Sequence, residues 1–565
     1  MNAAAVIVLG QTSVPLARQI MTAIPATLYG LSDRTSDVDI NFTNFGDTLR
    51  SLFVQGTPII GICAAGILIR TLAPLLSDKR VEPPVLAVAE DGSAVVPLLG
   101  GLNGANDLAR LIATALHVSP AITTTGDLRF RTPLLSPPTG YRLANSDEEA
   151  KTFLADLLAG ATVKVDGIAP WLSNSRLPIA ENAALTIQIT ERVVAITPNR
   201  LVYHPATIAI AVQNTFAEPQ QLVTQVQQQL AAANLAVGAV AGVFSTVAEA
   251  ANPEIHALAQ SLNVPARFFR TQSPTSALAM AAVGSSGHLV DLHSDIVAIA
   301  IAAQPIDPYT IGQPQGRLSI IGTGPGGTQW MSPEVKEIIR RATDLVGYST
   351  YLKLIGTLAD GKQCHESDNR EELSRARMAL DLATEGRDVV VVSSGDPGIY
   401  AMASAVFEVI ERDANPEWNS LAIHVAPGIS AMQAAAAAIG APLGHDFCAI
   451  SLSDILKPWS AIEQRLTAAA QADFVIAFYN PVSLQRTWQL AAACEILLKW
   501  RDGSTPVVLG KNLGRPGQTV KTLSLAKLKP EDADMRTVII IGSSKTRTIQ
   551  RNSGSWVYTP RTYQD

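Results

Sequence analysis

The stretch "LSIIGTGPGGTQWMSPEVKEIIRRA" combines closely spaced glycines with a strand pattern before them and a helix pattern after them. Gly322, Gly324 and Gly327 fit the spacing G-x-G-x-x-G, in which the missing side chains let the backbone approach a ligand closely. Ser332 provides an N-cap for the helix, and a proline and a glutamate follow it in the first turn. The pattern predicts a ligand-binding turn between a strand and a helix.

A nicotinamide dinucleotide is the usual ligand for this spacing, but its binding unit also needs an acidic residue at the end of the second strand. The predicted second strand is "LVGYSTYL", which contains no acidic residue, and Asp344 precedes it. Two alternatives to the dinucleotide remain on these grounds. The loop binds another ligand, or it is a tight turn that binds none.

Polar or small residues also follow three later strand patterns. Asp396 follows the strand in "DVVVVSSGDPGIY", and Ser430 and Ala431 open a helix of small residues in "APGISAMQAAAAAIG". Tyr479 and Asn480 end the strand in "DFVIAFYNP". Because open parallel sheets bind ligands outside the carboxyl ends of their strands, we expect these residues to share one cleft. Asp396 taken alone is also consistent with a helix cap.

The region from Arg317 to Arg547 contains, in order, the motifs "GTGPGG", "SSGDPGIY", "APGISAMQAA", "SLSDILKPW", "FYNP" and "GKNLGRPGQ". With these motifs it resembles the tetrapyrrole methylases that use S-adenosylmethionine, and among them the precorrin-3B C(17)-methyltransferases of cobalamin biosynthesis. One departure is Gly327, where that family often has an acidic residue.

The resemblance implies two α/β subdomains with S-adenosylmethionine in the cleft between them, and a homodimer formed through this region. It implies methylation of precorrin-3B, or of its cobalt form, at carbon 17, with contraction of the ring to precorrin-4. The cofactor-binding positions that it implies are Gly322, Gly324, Pro325, Asp396, Ile399, Ser430, Ala431, Tyr479 and Asn480.

The substrate of that family carries many carboxylates, which favours cations in the cleft. The candidates are Lys457, Arg486, Lys511, Arg515 and Arg547. A sulfonium methyl donor releases a neutral leaving group, so in-line positioning can supply most of the rate enhancement without a His or Cys nucleophile. Asp454, Tyr400 and His445 are candidates for proton transfer during ring contraction, and each is also consistent with a structural role. No catalytic residue is assigned.

The N-terminal half contains "GTPIIGICAAGILIRTLAPLL" and, later, "PAITTTGD", which resemble the cobalt-precorrin-5A hydrolases. Enzymes of that family open a lactone and release acetaldehyde. Turn residues that could present N–H groups or cations to an anion are Gly61, Cys63, Gly66, Arg70 and Lys79. Because no histidine lies near Cys63 in the sequence, we interpret it as a buried structural thiol rather than as a nucleophile.

Two departures from the hydrolase pattern bear on that activity. Leu102 and Asn103 stand where the hydrolases commonly have histidine. The strand "IAIAVQNTF" carries Ala209, Ala211 and Gln213, where the hydrolases have a strand end with glycine, cysteine and arginine. We therefore consider a bifunctional methyltransferase and hydrolase, and a methyltransferase with a non-catalytic binding or docking module. A nicotinamide-dependent oxidoreductase is a remote third hypothesis.

The strand and helix patterns along the chain predict a multidomain α/β protein. We expect a hydrolase-like N-terminal domain at residues 1–145, a connecting segment at 146–205 that completes it, and a degenerate hydrolase-like C-terminal domain at 206–302. A proline-rich and glycine-rich linker at 303–316 precedes a tetrapyrrole methylase domain of two subdomains at 317–565.

Composition limits the classes of partner. The chain has 565 residues, a net charge of -6 and no polybasic run, which argues against nucleic acid. It has no predicted membrane span, and its His and Cys residues show no metal-ligand spacing. The four cysteines are scattered without a C-x-x-C pair, which favours a reducing compartment. We expect a cytoplasmic enzyme that acts on a small molecule.

Overall fold

The structure is a computed structural model that describes residues 4–79, 81–213, 219–291, 294–368, 371–552 and 554–562. The described residues form six β-sheets, and helices pack against the larger ones. This mixed architecture confirms the predicted multidomain α/β class. Within the same ranges, no helix has the length and apolar character needed to cross a lipid bilayer.

The N-terminal sheet is six-stranded, with strand order β3-β2-β1-β4-β5-β6. Its elements and the following helices are β1 (Ala4–Val8), α1 (Val14–Met21), β2 (Ala26–Leu31), β3 (Ile40–Phe42), α2 (Phe45–Val54), β4 (Ile59–Ile62), α3 (Ala65–Leu72), β5 (Val85–Val88), β6 (Val95–Leu99), α4 (Ala105–Ala115) and α5 (Thr125–Phe130). Strands β1 to β5 are parallel, and β6 is antiparallel to β5. The strand order reverses between β1 and β4, which is where doubly wound sheets bind ligands.

The second sheet is four-stranded, with order β7-β10-β9-β8. Its elements are β7 (Tyr141–Leu143), α6 (Asp147–Leu158), β8 (Val163–Asp166), β9 (Leu185–Ile189) and β10 (Arg200–Pro205). Phe153 and Tyr203 are fully buried in its own hydrophobic core. The segment that we expected to complete the first sheet therefore forms a separate sheet. Its strands are short and separated by irregular stretches, which weakened their signal in the sequence.

The third sheet has the order β13-β12-β11-β15-β14. Its elements are β11 (Ile208–Val212), α7 (Pro219–Ala232), β12 (Val240–Thr246), α8 (Pro253–Ser261), β13 (Ala266–Phe269), α9 (Thr275–Val283), β14 (His288–Leu289) and β15 (Val297–Ile301). The predicted linker lies along β13, where Gln313 and Phe268 exchange two backbone hydrogen bonds of 2.8 and 2.9 Å. The buried guanidinium of Arg267 donates to carbonyl oxygens of the same segment. The linker is thus bound to the third sheet.

The fourth sheet is fully parallel, with order β18-β17-β19-β16-β20. Its elements are β16 (Arg317–Gly322), α10 (Pro333–Arg341), β17 (Asp344–Tyr348), α11 (Ser349–Ile355), β18 (Gln363–Ser367), α12 (Glu372–Thr384), β19 (Asp388–Ser393), α13 (Met402–Asp413) and β20 (Ala422–Ala426). The predicted N-cap is confirmed, since the Ser332 hydroxyl accepts from the N–H of Val335 at 3.1 Å.

The prediction for "LVGYSTYL" is wrong in its bounds. Strand β17 begins at Asp344 rather than after it, and α11 starts at Ser349. Asp344 is buried at the amino end of β17, where its carboxylate pairs with His365 at 2.8 Å and Arg387 at 3.2 Å. The carboxyl end of β17 is Tyr348, so the acid expected of a dinucleotide site is missing there.

The fifth sheet has the order β22-β23-β26-β24-β25, and a small sheet has the order β21-β28-β27. The remaining elements are α14 (Ala431–Ile439), β21 (Gly440–Ala441), β22 (Phe447–Ser451), α15 (Trp459–Gln471), β23 (Val475–Tyr479), α16 (Gln489–Leu497), β24 (Pro506–Lys511), β25 (Thr519–Ser524), β26 (Thr537–Ile541), β27 (Arg547–Arg551) and β28 (Gly554–Tyr558). Helix α14 follows β20 and packs on the fifth sheet, which places the two larger sheets of this region side by side.

Candidate active site

Loops at the carboxyl ends of β16, β19 and β20 pack against each other without side chains between them. Gly324 and Gly395 exchange two backbone hydrogen bonds of 3.1 and 2.8 Å. A Cβ atom on Gly322 would lie 2.5 Å from the carbonyl oxygen of Gly395 and 2.7 Å from the nitrogen of Gly428. The glycines therefore allow three strand ends to form one continuous edge.

Asp396 joins two of these loops. Its carboxylate accepts from the N–H of Gly398 at 2.8 Å and from the N–H of Gly428 at 3.1 Å. It does not cap α13, because that helix begins at Met402 with Ala401 as its N-cap. The half-buried carboxylate brings a negative charge to the edge of the sheet, and Ile399 lies half-buried beyond it.

The start of α14 contacts the end of β23. Ser430 caps α14 in a reciprocal arrangement with Gln433, and Ala431 is the first helical residue. The Tyr479 hydroxyl accepts from the N–H of Met432 at 3.2 Å. Burial raises the pKa of Tyr479, so its hydroxyl stays protonated near neutral pH. The fourth and fifth sheets therefore meet at Ser430 and Tyr479.

Asn480 follows Tyr479 in the left-handed region, with φ of +50°. Its amide donates to the Ser451 hydroxyl at 3.2 Å, which joins the ends of β22 and β23. The Tyr479 ring also lies 5.3 Å from the ring of Tyr400. The ends of β22 and β23 therefore form a second edge, and Tyr479 joins this edge to the start of α14.

Arg515, in the loop between β24 and β25 of the fifth sheet, contacts two loops of the fourth sheet. Its Nε donates to the carbonyl oxygen of Pro325 at 2.8 Å, and its Nη2 donates to the hydroxyl of Ser394 at 2.7 Å. The neighbouring Gly514 packs against Gly326. A Cβ atom on Gly326 would lie only 1.9 Å from the carbonyl oxygen of Gly514. Arg515 therefore fixes the glycine loop relative to the fifth sheet.

Replacing Arg515 with lysine is expected to lower the free energy of unfolding by about 1–2 kcal/mol, because a single ammonium replaces two directed guanidinium bonds. Urea denaturation followed by tryptophan fluorescence measures this change. Arg412→Lys is the matched control, since Arg412 is exposed on α13. Equal stability of the two variants would contradict the bridging role of Arg515.

The other predicted cations occupy different surroundings. Arg486 is buried, and its Nη1 donates to the carbonyl oxygen of Asn480 at 3.0 Å. Lys511 lies 2.9 Å from Asp534; desolvation opposes ionisation of that carboxyl, but hydrogen bonds led by Lys511 lower its pKa to about 2. Lys457 is half-buried after β22. Arg547 lies on the exposed strand β27, which belongs to neither cleft-lining sheet.

The candidates for proton transfer all make hydrogen bonds within the chain. Asp454 accepts from the side-chain amide of Gln489 at 3.1 Å. The Tyr400 hydroxyl donates to the carbonyl oxygen of Ala449 at 2.8 Å. His445 Nδ1 accepts from the N–H of Asp446 at 2.8 Å. Their use in catalysis stays a prediction.

Sequence reasoning missed Ser394 and Gly428, which contact Arg515 and Asp396. Both stand inside recognised motifs, "SSGDPG" and "APG", so the motifs themselves carried the signal. Their partners come from other loops, which spacing along the chain does not reveal.

In the N-terminal sheet, the turn after β4 lies at the reversal of strand order. Gly61 packs against Leu68, since a Cβ there would lie 2.8 Å from that side chain. Gly66 is in the first turn of α3, whose N-cap Ala64 provides no side-chain hydrogen bond. Arg70 and Lys79 are exposed. The turn therefore presents helix N–H groups, while its cations extend into solvent.

Cys63 is buried at this turn, and desolvation, followed by the charge of Glu90, raises the pKa of its thiol to about 11. We expect Cys63 to react with iodoacetamide at pH 8 at least about tenfold more slowly than the exposed Cys364, because the thiolate is the reactive form. Peptide mapping by mass spectrometry measures both rates in one sample. Faster alkylation of Cys63 would point to an activated nucleophile.

Two family models match the chain. The model of Tetrapyrrole (Corrin/Porphyrin) Methylases matches residues 317–529, and the model of Cobalamin synthesis G N-terminal matches residues 47–127. The first match contains the glycine loop, Asp396, Ser430, Tyr479 and Arg515. The second contains the turn around Cys63.

Similar proteins cover less than half of the chain. The precorrin-3B C(17)-methyltransferase of a Sinorhizobium species is 48% identical over 249 residues, which is 44% of this chain and 97% of that protein. Cobalamin biosynthesis protein CobIJ of Mycobacterium bovis is 48% identical over 254 residues, and the match covers 44% of this chain and 49% of CobIJ, about half its length. The solved structure of the methyltransferase CobJ is 48% identical in sequence. The match covers 43% of this chain and 100% of the CobJ chain, with a TM-score of 0.41.

Proposed function

The chain belongs to the tetrapyrrole methylase family, and we propose that it transfers a methyl group from S-adenosylmethionine to carbon 17 of precorrin-3B, or of its cobalt form, in cobalamin biosynthesis. We include in the proposal the accompanying ring contraction to precorrin-4. The observation that carries the proposal is the joining of the two sheets at their strand ends. Arg515 of the fifth sheet donates to Pro325 and Ser394 of the fourth, and Tyr479 of the fifth accepts from the N–H of Met432 at the start of α14.

The loops at this site suit a ligand held by backbone and carboxylate groups. Gly322 and Gly428 let the loops pack closely, since a Cβ on either residue would lie under 3 Å from neighbouring backbone. Asp396 offers carboxylate oxygens to N–H or O–H groups of the ligand. We propose that these positions bind S-adenosylmethionine together with Pro325, Ile399, Ser430, Ala431, Tyr479 and Asn480.

The bound cofactor would supply a methyl group on a sulfonium centre. The chain's own contribution is positioning, since methyl transfer needs the donor and the acceptor carbon in line. Arg515 and Asp396 hold the loops that define this position. Of the predicted substrate cations, Lys457 and Lys511 are the proposed carboxylate-binding residues. Arg486 and Arg515 are proposed as positioning residues that act through Asn480 and through the glycine loop. Arg547 is not included, because β27 belongs to neither of the two larger sheets.

We propose a non-catalytic binding or docking role for the N-terminal half. Ala209 and Ala211 are fully buried and pack with α9, and the Gln213 amide oxygen accepts from the Thr275 hydroxyl at 3.1 Å. The strand end that carries glycine and arginine in the hydrolases is therefore filled here. The match at residues 47–127 favours lactone opening with acetaldehyde release as the second candidate.

We propose the boundaries 1–145, 146–205, 206–302, 303–316 and 317–565 for the domains. Three of the four strands of the second sheet lie in the segment 146–205, and β7 lies just before it. We also propose a homodimer through the methylase region. A cytoplasmic location is consistent with the four free thiols of Cys63, Cys364, Cys448 and Cys494.

Anaerobic incubation of the whole chain with S-adenosylmethionine and precorrin-3B tests the methyltransferase, with the tetrapyrrole followed by mass spectrometry. We expect a product heavier by one methyl group, and an unchanged tetrapyrrole would contradict the proposal. A parallel incubation with cobalt-precorrin-5A tests the N-terminal half. Release of acetaldehyde would establish the hydrolase and overturn the docking role.

A further inference from the structure

Two loops at the carboxyl edge of the fifth sheet expose large apolar side chains. The Ile455 loop (residues 452–458) follows β22, and the Leu484 loop (residues 480–488) follows β23. Ile455 is 74% exposed, Leu456 is 91% exposed and Leu484 is fully exposed. Exposed apolar side chains grouped in this way mark binding surfaces, because leaving them in water is unfavourable.

The bases of both loops are fixed. Asp454 accepts from the Gln489 amide at 3.1 Å, which ties the two loops together. The rings of Trp459 and Trp488 meet edge to face, with centroids 4.8 Å apart. These contacts hold the apolar tips in place without covering them.

The Leu484 loop has a further anchor. Ser483 and Arg486 form a tight turn with two backbone hydrogen bonds of 3.0 and 3.2 Å, and Leu484 lies within that turn. The buried Arg486 attaches the turn to the carbonyl oxygen of Asn480 at 3.0 Å. Leu484 is thereby presented on a rigid support beside the proposed cofactor cleft.

Positive charge accompanies the apolar tips. Lys457 follows Leu456, and Arg465 lies on α15 close enough for its charge to act on Lys457. Partial burial, and then the charge of Arg465, lower the pKa of Lys457. Within the described residues, neither side chain forms an ion pair with a carboxylate. An anionic group of a ligand would relieve this repulsion.

We propose that the Ile455 and Leu484 loops form a platform for one face of the macrocyclic substrate, with Lys457 and Arg465 binding its peripheral carboxylates. The apolar faces of a flat macrocycle would pack on the exposed side chains of Ile455, Leu456 and Leu484. The carboxylates at its rim would pair with Lys457 and Arg465. The platform is continuous with the proposed cofactor site, because Tyr479 directly precedes the Leu484 loop and Asn480 is its first residue. This inference rests on the proposed function and adds side chains that bind the ring itself.

The double variant Leu456→Ser, Leu484→Ser tests the platform in the whole chain. We expect the KM for precorrin-3B to rise about tenfold. We expect the same increase in the Kd for precorrin-3B, measured by quenching of tryptophan fluorescence. The affinity for S-adenosylhomocysteine, measured by calorimetry, is expected to stay unchanged. Leu498→Ser is the control, because Leu498 is 41% exposed at the far end of α16, away from the cleft edge.

An unchanged KM and Kd for precorrin-3B in the double variant would overturn the platform. Loss of a dimer on ultracentrifugation, with unchanged precorrin-3B affinity per chain, would overturn it in favour of a surface that binds a second copy. Weakened precorrin-3B binding in the variant, combined with no methyl transfer by the unmodified chain, would support the platform while contradicting the proposed reaction.

Discussion

Asp396→Ala is expected to weaken S-adenosylhomocysteine binding by about ten- to a hundredfold, because hydrogen bonds to a charged group contribute about 1.5–3 kcal/mol. The substitution removes the carboxylate offered to the ligand. It also releases the N–H of Gly428, which the carboxylate holds at 3.1 Å. Both effects act on the cofactor edge and leave the sheet core in place. Calorimetric titration of the purified variant measures the affinity.

Glu408→Ala provides the matched control, since Glu408 is an exposed acid on the neighbouring α13. The control should bind S-adenosylhomocysteine as the unmodified chain does. Equal affinity of the Asp396 variant and the control would remove Asp396 from the cofactor site. Circular dichroism and thermal unfolding of both variants would separate a local effect from unfolding.

Gly324→Val is expected to reduce methyl transfer by at least about a hundredfold, because a displacement of roughly 1 Å in a catalytic site has effects of this size. Gly324 has φ of +74°, which a β-branched residue adopts only under strain. The new Cβ would lie 2.9 Å from the Cβ of Trp330 and 3.0 Å from its carbonyl oxygen. The glycine loop would have to move away from the cleft. Initial rates at saturating cofactor measure the loss.

Gly327→Ala is the control in the same loop. Gly327 has φ of -79°, and a Cβ there would meet only the flexible side chain of Gln329. We expect this variant to retain most of its activity. If Gly324→Val kept the rate of Gly327→Ala, close backbone approach at Gly324 would be the wrong explanation for the loop.

Much of the cleft could be predicted because its residues lie at strand ends that are visible in the sequence. The buried run before Asp396 and the cap at Ser430 are local patterns, and the structure places both at the carboxyl edge of the fourth sheet. Helix α10 likewise follows from Ser332 and the spacing of its apolar residues. In these cases, local propensity and burial indicate the same element.

The rest depends on contacts between distant residues. Arg515 was predicted as a cation for the substrate, yet it contacts Pro325, which lies 190 positions earlier. No spacing rule identifies such a bridge. The bounds of β17 were missed because Asp344, an acid, is unusual inside a buried strand, and His365 and Arg387 from other elements stabilise it there. Tertiary pairing overrode the local preference.

We propose that the residues between the fourth and fifth sheets direct a methyl group to one ring carbon of precorrin-3B. The most direct measurement is anaerobic turnover with S-adenosylmethionine labelled with carbon-13 in the methyl group, followed by NMR of the isolated tetrapyrrole. We predict one labelled methyl group, attached to carbon 17. A label on another ring carbon, or a tetrapyrrole without label, would contradict the assignment.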